Sequence, residues 1–211
     1  MFKVIGLYFE VFIILGIPLV LMGSSTSILA DRPFLMLVGG LYCAAVLFHY
    51  NAQLADIGLT LRNFKQSLAY LVTPSLGIIA LTLVILSFSP PPLRIWLIGT
   101  DPLSVTSLGN RILLYIFASA PIQELIFRGY FTYRLERIVK NNYWLLTLSI
   151  LVFTIAHIPF HSPIMLVISL VMGITYIFNY QKYRNLYAIM ISHAMVGAIL
   201  ILIRNFYLPY T

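Results

Sequence analysis

The chain reads as an all-α, polytopic transmembrane bundle of about seven to eight helices, and composition, hydropathy and the placement of charge all point there. Of 211 residues, 61% are apolar and 9% are charged, against about 25% charged in a soluble domain. Such a chain has too little polar surface to face water on all sides, and its mean hydropathy of +0.96 says the same. Its apolar residues also fall in runs long enough to cross a bilayer, whose core of about 30 Å needs around 20 helical residues. The basic residues sit between those runs, where a membrane protein uses them to set orientation.

The first run, Val4 to Met22, follows Lys3 and precedes small residues near Ala30, much as a secretory signal does. Glu10 interrupts it and further runs follow, so it is read as a retained helix. Next come Phe34 to His49 and Leu68 to Phe88. Pro90-Pro91-Pro92 with Leu93 to Ile98 reads as an interfacial helix or a further half-crossing, the source of the eighth helix. Asn110 to about Arg128, Tyr143 to His157, Ile164 to Tyr180 and Tyr187 to Ile203 complete the set. No repeat or linker divides the chain, so residues 1–211 form a single integral membrane domain with a candidate catalytic core in 110–204.

With the N-terminus cytosolic, one side collects Lys3, Arg62, Lys65, Arg134, Arg137, Lys140, Lys182 and Arg184, and the other Arg32, Arg94, Arg111 and Arg204. The excess on the first side sets the expected orientation. The formal net charge of +7 does not indicate nucleic acid, because no block of basic residues with interleaved aromatics is present. Cys43 is the only cysteine, lies in an apolar run and reads as a packing residue; a disulfide scaffold is excluded.

Ionisable residues inside apolar runs are expensive and invite a functional reading. They are Glu10, His49, Glu124, Arg128, His157 and His193. Glu10 has no obvious local partner and His49 lies at an interface beside Tyr50 and Asn51, so both read as structural. Glu124 and Arg128 stand at i, i+4 with the acid first, which places them on one helical face. Pro121 is expected to kink their helix. Glu124 lies 17 residues before Asn141 and His157 lies 15 after Asn142, so both sit roughly 25 Å from that turn. His193, eight residues past Asn185, is roughly 12 Å from its own turn unless the last helix is shifted upward, which is expected.

A carboxylate beside histidine in a low-dielectric cavity can hold and activate water, and a second histidine can stabilise a developing oxyanion. That set suits peptide hydrolysis without a covalent intermediate. A competing reading makes Glu124, His157 and His193, with His161, zinc ligands; Pro159 between the two histidines and the missing Glu after His157 break the H-E-x-x-H pattern. No metal or other cofactor is therefore expected.

Gln123-Glu124-Leu125-Ile126-Phe127-Arg128 follows E-E-x-x-x-R in all but its first position, Phe153 and His157 form F-x-x-x-H, and His193 supplies a third motif. In these residues the chain resembles the CAAX-processing and bacteriocin-processing (Abi) family of glutamic intramembrane proteases, over Asn110 to about Arg204. The resemblance implies a membrane endopeptidase in which paired glutamates and His157 activate water, Arg128 holds the motif together and His193 helps form an oxyanion hole. It implies peptide or protein substrates at the membrane, prenylated or not, and a bacterial or archaeal cell membrane as the setting.

There are two departures from the pattern. Gln123 cannot accept a proton as a base: either Glu124 has taken the role, or the protein is a non-catalytic relative that binds a peptide or partner in the same cavity, as an immunity or adaptor protein would, or the Gln is an introduced change. Gly197 removes the third motif's polar side chain, and Ser192, about 100° away around the helix, is a poor substitute. A small transporter lined by the same charges is a weaker reading.

Overall fold

Side chains that satisfy orphan N–H groups set where the helices begin. The structure, a computed structural model, describes residues 6, 9, 10, 12–16, 32–99 and 107–207. Among these, helix α1 spans Arg32–His49, α2 Phe64–Phe88 and α3 Pro91–Ile98, with prolines at the start of α3, where no N–H is needed. Helix α4 runs from Leu108 to Ile138 behind the cap of Ser107, whose Oγ accepts from the Asn110 N–H. Helix α5, Asn142–Ile155, is capped by Asn141, and α6, Pro163–Tyr183, by Ser162. Helix α7 spans Leu186–Tyr207, and the Asn185 side chain accepts from the Ala188 N–H at its first turn.

Five helices in this set are long and apolar enough to cross a membrane, those of α2, α4, α6, α7 and Asn142–Phe160; the shorter apolar Phe34–His49 lies beside them. Large apolar side chains face outward, among them Leu76, Phe88, Phe117, Trp144, Met195 and Phe206, while Ser67, Glu124, Arg128, Asn179 and His193 are buried. An apolar exterior around a polar interior is the arrangement of a protein solvated by lipid. This is an integral, multi-pass, all-α membrane protein. The Pro90–Pro92 stretch adds only the eight-residue α3. Most of the expected first span, Val4 to Met22, lies outside the described residues.

Glu10 is described, and it has partners. Its carboxylate accepts from Arg134 at 2.8 and 2.6 Å and from the Tyr130 hydroxyl at 2.5 Å. The partner that local sequence did not reveal lies on α4.

The connections gather at two ends. At one, Arg184 donates to the Asp56 carbonyl and pairs with Glu136, and Asn185 Nδ2 donates to the carbonyls of Thr60 and Arg62. This end carries most of the basic residues. Burial works against the charge of Arg184, but hydrogen bonds and charge from Glu136 outweigh it and raise its pKa. At the other end Ser162 donates to the Leu97 carbonyl and the Arg94 guanidinium lies over the Tyr207 ring.

The start of α7 is set deep. The Leu186 N–H donates to the Gly58 carbonyl at 2.7 Å, and the Leu186 side chain packs on Gly129 of α4, nine residues before that helix ends. At 1.5 Å per residue, α7 begins roughly 13 Å inside the end of α4. This is the upward shift of the last helix expected from sequence, and it brings His193 level with Glu124.

Candidate active site

Helix α4 positions the acid. Pro121 cannot donate to the preceding turn, and α4 absorbs this without breaking: residues Tyr115–Ser119 and Leu125–Thr132 are wound as π-helix on either side of Ala120–Glu124. Wider turns of this kind recur at functional sites because they re-aim side chains. The Ala120 N–H reaches back to the Tyr115 carbonyl, and the Thr132 hydroxyl takes up the Phe127 carbonyl at 3.1 Å.

Glu124 is 0% exposed and Arg128 and His193 are each 2% exposed. One carboxylate oxygen, Oε1, accepts from Arg128 Nη1 at 3.0 Å and from His193 Nδ1 at 2.5 Å. The other, Oε2, is buried with no hydrogen-bond partner among the described residues. An unsatisfied buried acceptor of this kind costs about 1–3 kcal/mol unless water or a ligand meets it.

Phe153 of α5 is the hub around which these groups pack. Its buried ring carries the Arg128 guanidinium at 3.9 Å and lies 5.8 Å from the His193 ring and 4.8 Å from the His157 ring, centroid to centroid. Tyr176 of α6 faces Arg128 from 5.4 Å and His193 from 5.8 Å. Arg128 is thus held by two rings as well as by Glu124, a geometry for which its flat, weakly hydrated guanidinium is suited.

His157 is 8% exposed and sits where α5 gives way to the Ile158–Phe160 turn. Its Nδ1 lies 2.8 Å from the Phe153 carbonyl. A carbonyl can only accept, so Nδ1 carries the proton and Nε2 presents a lone pair. On His193, Nδ1 is likewise the donor to the carboxylate, leaving Nε2 free of that contact.

Gln123 is not brought into this cluster. Its side chain turns along α4, where Nε2 donates to Ser119 Oγ at 3.1 Å. Ser192 also points elsewhere, bonding Ser75 at 3.0 Å and Tyr176 at 3.3 Å. Among the described residues no three His, Cys, Asp or Glu side chains group as metal ligands.

Sequence reasoning missed Tyr115. Its ring stands edge-on to His193 at 6.0 Å, and its hydroxyl lies against Gly197 where a Cβ would be. A glycine one turn beyond a buried histidine was the available signal, since glycine inside a helix often marks a close approach.

Residues 107–199 match the family described as type II CAAX prenyl endopeptidase Rce1-like. The matched stretch runs from the Ser107 cap through α4, α5 and α6 and past His193, so it contains Glu124, Arg128, Phe153 and His157 as well. No curated protein and no solved structure matches the chain.

Proposed function

We propose, from the premise that this chain is a CAAX-type membrane endopeptidase at the level of the family matched over residues 107–199, that Glu124 and His157 activate water for hydrolysis of a peptide bond. The observation that carries the reading is the buried Glu124 Oε2, without a hydrogen-bond partner among the described residues, beside a carboxylate oxygen already held by Arg128 and His193. Water bound to Oε2 is oriented by a carboxylate that cannot turn away. The water oxygen adds to the scissile carbonyl carbon, its proton passes to His157 Nε2, and the carbonyl π pair moves onto oxygen. Collapse of the tetrahedral species breaks the C–N bond, and His157 returns the proton to the leaving amine.

The substrate is a peptide or protein segment at the bilayer, and lipidation of it is compatible with a site enclosed by lipid-facing helices. The basic end faces the cytosol, an orientation supported by the Lys and Arg gathered there, and the expected setting is a bacterial or archaeal cell membrane. Gln123 favours a second reading, since an amide donating to Ser119 cannot serve as a base: a non-catalytic relative that binds a peptide or partner protein in the same cavity.

A cleavage assay on reconstituted protein with a farnesylated CAAX peptide separates the two. Turnover by the chain that falls by about a hundredfold or more with Glu124→Ala supports water activation. Turnover that appears only with Gln123→Glu points to an inactivated protease, and silence of the chain and of both variants toward a peptide that binds supports the non-catalytic relative.

A further inference from the structure

Helix α7 carries Gly197 one turn beyond His193, on the same face. A Cβ at 197 would collide with the Tyr115 ring and hydroxyl, so the tyrosine occupies the space a side chain would otherwise fill. Tyr115 lies nine residues before Glu124 on α4, in the π-wound stretch Tyr115–Ser119. Its ring meets the edge of His193 at 6.0 Å, and among the described residues its hydroxyl makes no hydrogen bond, although the Glu124 carboxylate acts on it electrostatically. The hydroxyl of Tyr176, which also faces His193, by contrast bonds Ser192, and Ser192 bonds Ser75. A neutral O–H donor with no acceptor among the described residues, beside a histidine that is bonded to the site's carboxylate, is placed for an acceptor that arises during reaction.

We infer that the Tyr115 hydroxyl is a catalytic residue that donates a hydrogen bond to the oxyanion formed from the scissile carbonyl, from a position open to it only because residue 197 is glycine. The inference rests on the water-activation reading. No proton leaves Tyr115: water adds to carbon, the π pair moves to oxygen, and the phenol O–H meets that oxygen while remaining a phenol. Such donors act on the transition state more than on the bound substrate.

The test uses the full chain in lipid, a farnesylated CAAX peptide and its phosphinate isostere, whose anionic tetrahedral centre mimics the intermediate. Tyr115→Phe keeps the ring and removes the donor. It is expected to lower kcat about a hundredfold with KM unchanged, and to weaken phosphinate binding about 10- to 100-fold while leaving the uncleaved peptide's affinity unchanged. Gly197→Ala, which displaces the ring, is expected to do the same, and the double variant to be no worse than the more impaired single. A kcat for Tyr115→Phe within twofold of the parent, or a parent without preference for phosphinate over peptide, overturns the inference. A parent that does not turn over, yet prefers the phosphinate and loses that preference with Tyr115→Phe, upholds the donor while the water-activation reading falls.

Discussion

Glu124 and Arg128 form a buried ion pair whose value lies in mutual dependence. Two charges in a low-dielectric interior gain little net stability from each other, but removing either leaves the other unpaired, at about 3–5 kcal/mol. Arg128→Met is therefore expected to destabilise the protein by about that amount, and Arg128→Lys to recover little, because lysine cannot lie flat between Phe153 and Tyr176. Glu124→Gln with Arg128→Met should be less destabilised than the sum of the two singles, which thermal unfolding in detergent can measure as a coupling energy. The pair was legible in the sequence from its i, i+4 spacing. Its third member, His193, lies 69 positions away; no local pattern could say that it joins the same oxygen.

At the scale of helices, the depth of α7 is decided by a loop. Gly58 has φ of 78°, its carbonyl receives the Leu186 N–H, and a Cβ there would press on the Tyr180 ring and the Leu186 nitrogen. Gly58→Ala is expected to cost more than about 1 kcal/mol through its backbone conformation alone. It should also lower turnover, since a shifted α7 carries His193 off Glu124; a thermal midpoint and a cleavage rate on one sample check both. Likewise, α1 rests on α4 where Gly40 meets Ile122. Gly40→Ile should wedge them apart at a cost of about 1–3 kcal/mol. Helix positions, caps and proline starts were readable from sequence because each depends on residues within one turn. The winding of α4 around Pro121 was not: proline forbids one hydrogen bond, and the stretches on either side of Ala120–Glu124 are wound as π-helix.

Over the whole molecule, basic loops line up at one end, and Arg134 reaches across 124 positions to hold Glu10. Arg134→Met strands the Glu10 carboxylate and should destabilise by about 3–5 kcal/mol, with Glu10→Gln in the same background restoring part of the loss. The proposed orientation is tested by single cysteines at Lys140 and Trp96 in a Cys43→Ala chain. An impermeant thiol reagent added to intact cells is expected to label position 96 and not 140, and the reverse pattern overturns the orientation.

The sequence by itself determined that this is a lipid-solvated helical bundle, because hydropathy and charge placement act over one helix at a time and the bilayer supplies the length scale. It also marked out Glu124, Arg128, His157 and His193 as candidates, because ionisable groups in apolar runs are costly enough to stand out. Only the tertiary structure decided which of them meet. It turned Gln123 toward Ser119, set both histidines on Phe153, found Glu10 its partners on α4, and filled the space at Gly197 with Tyr115. Those outcomes depend on contacts between helices far apart in the chain, where register and depth are set by loops such as Gly58 to Leu186, and no short stretch of residues encodes them alone.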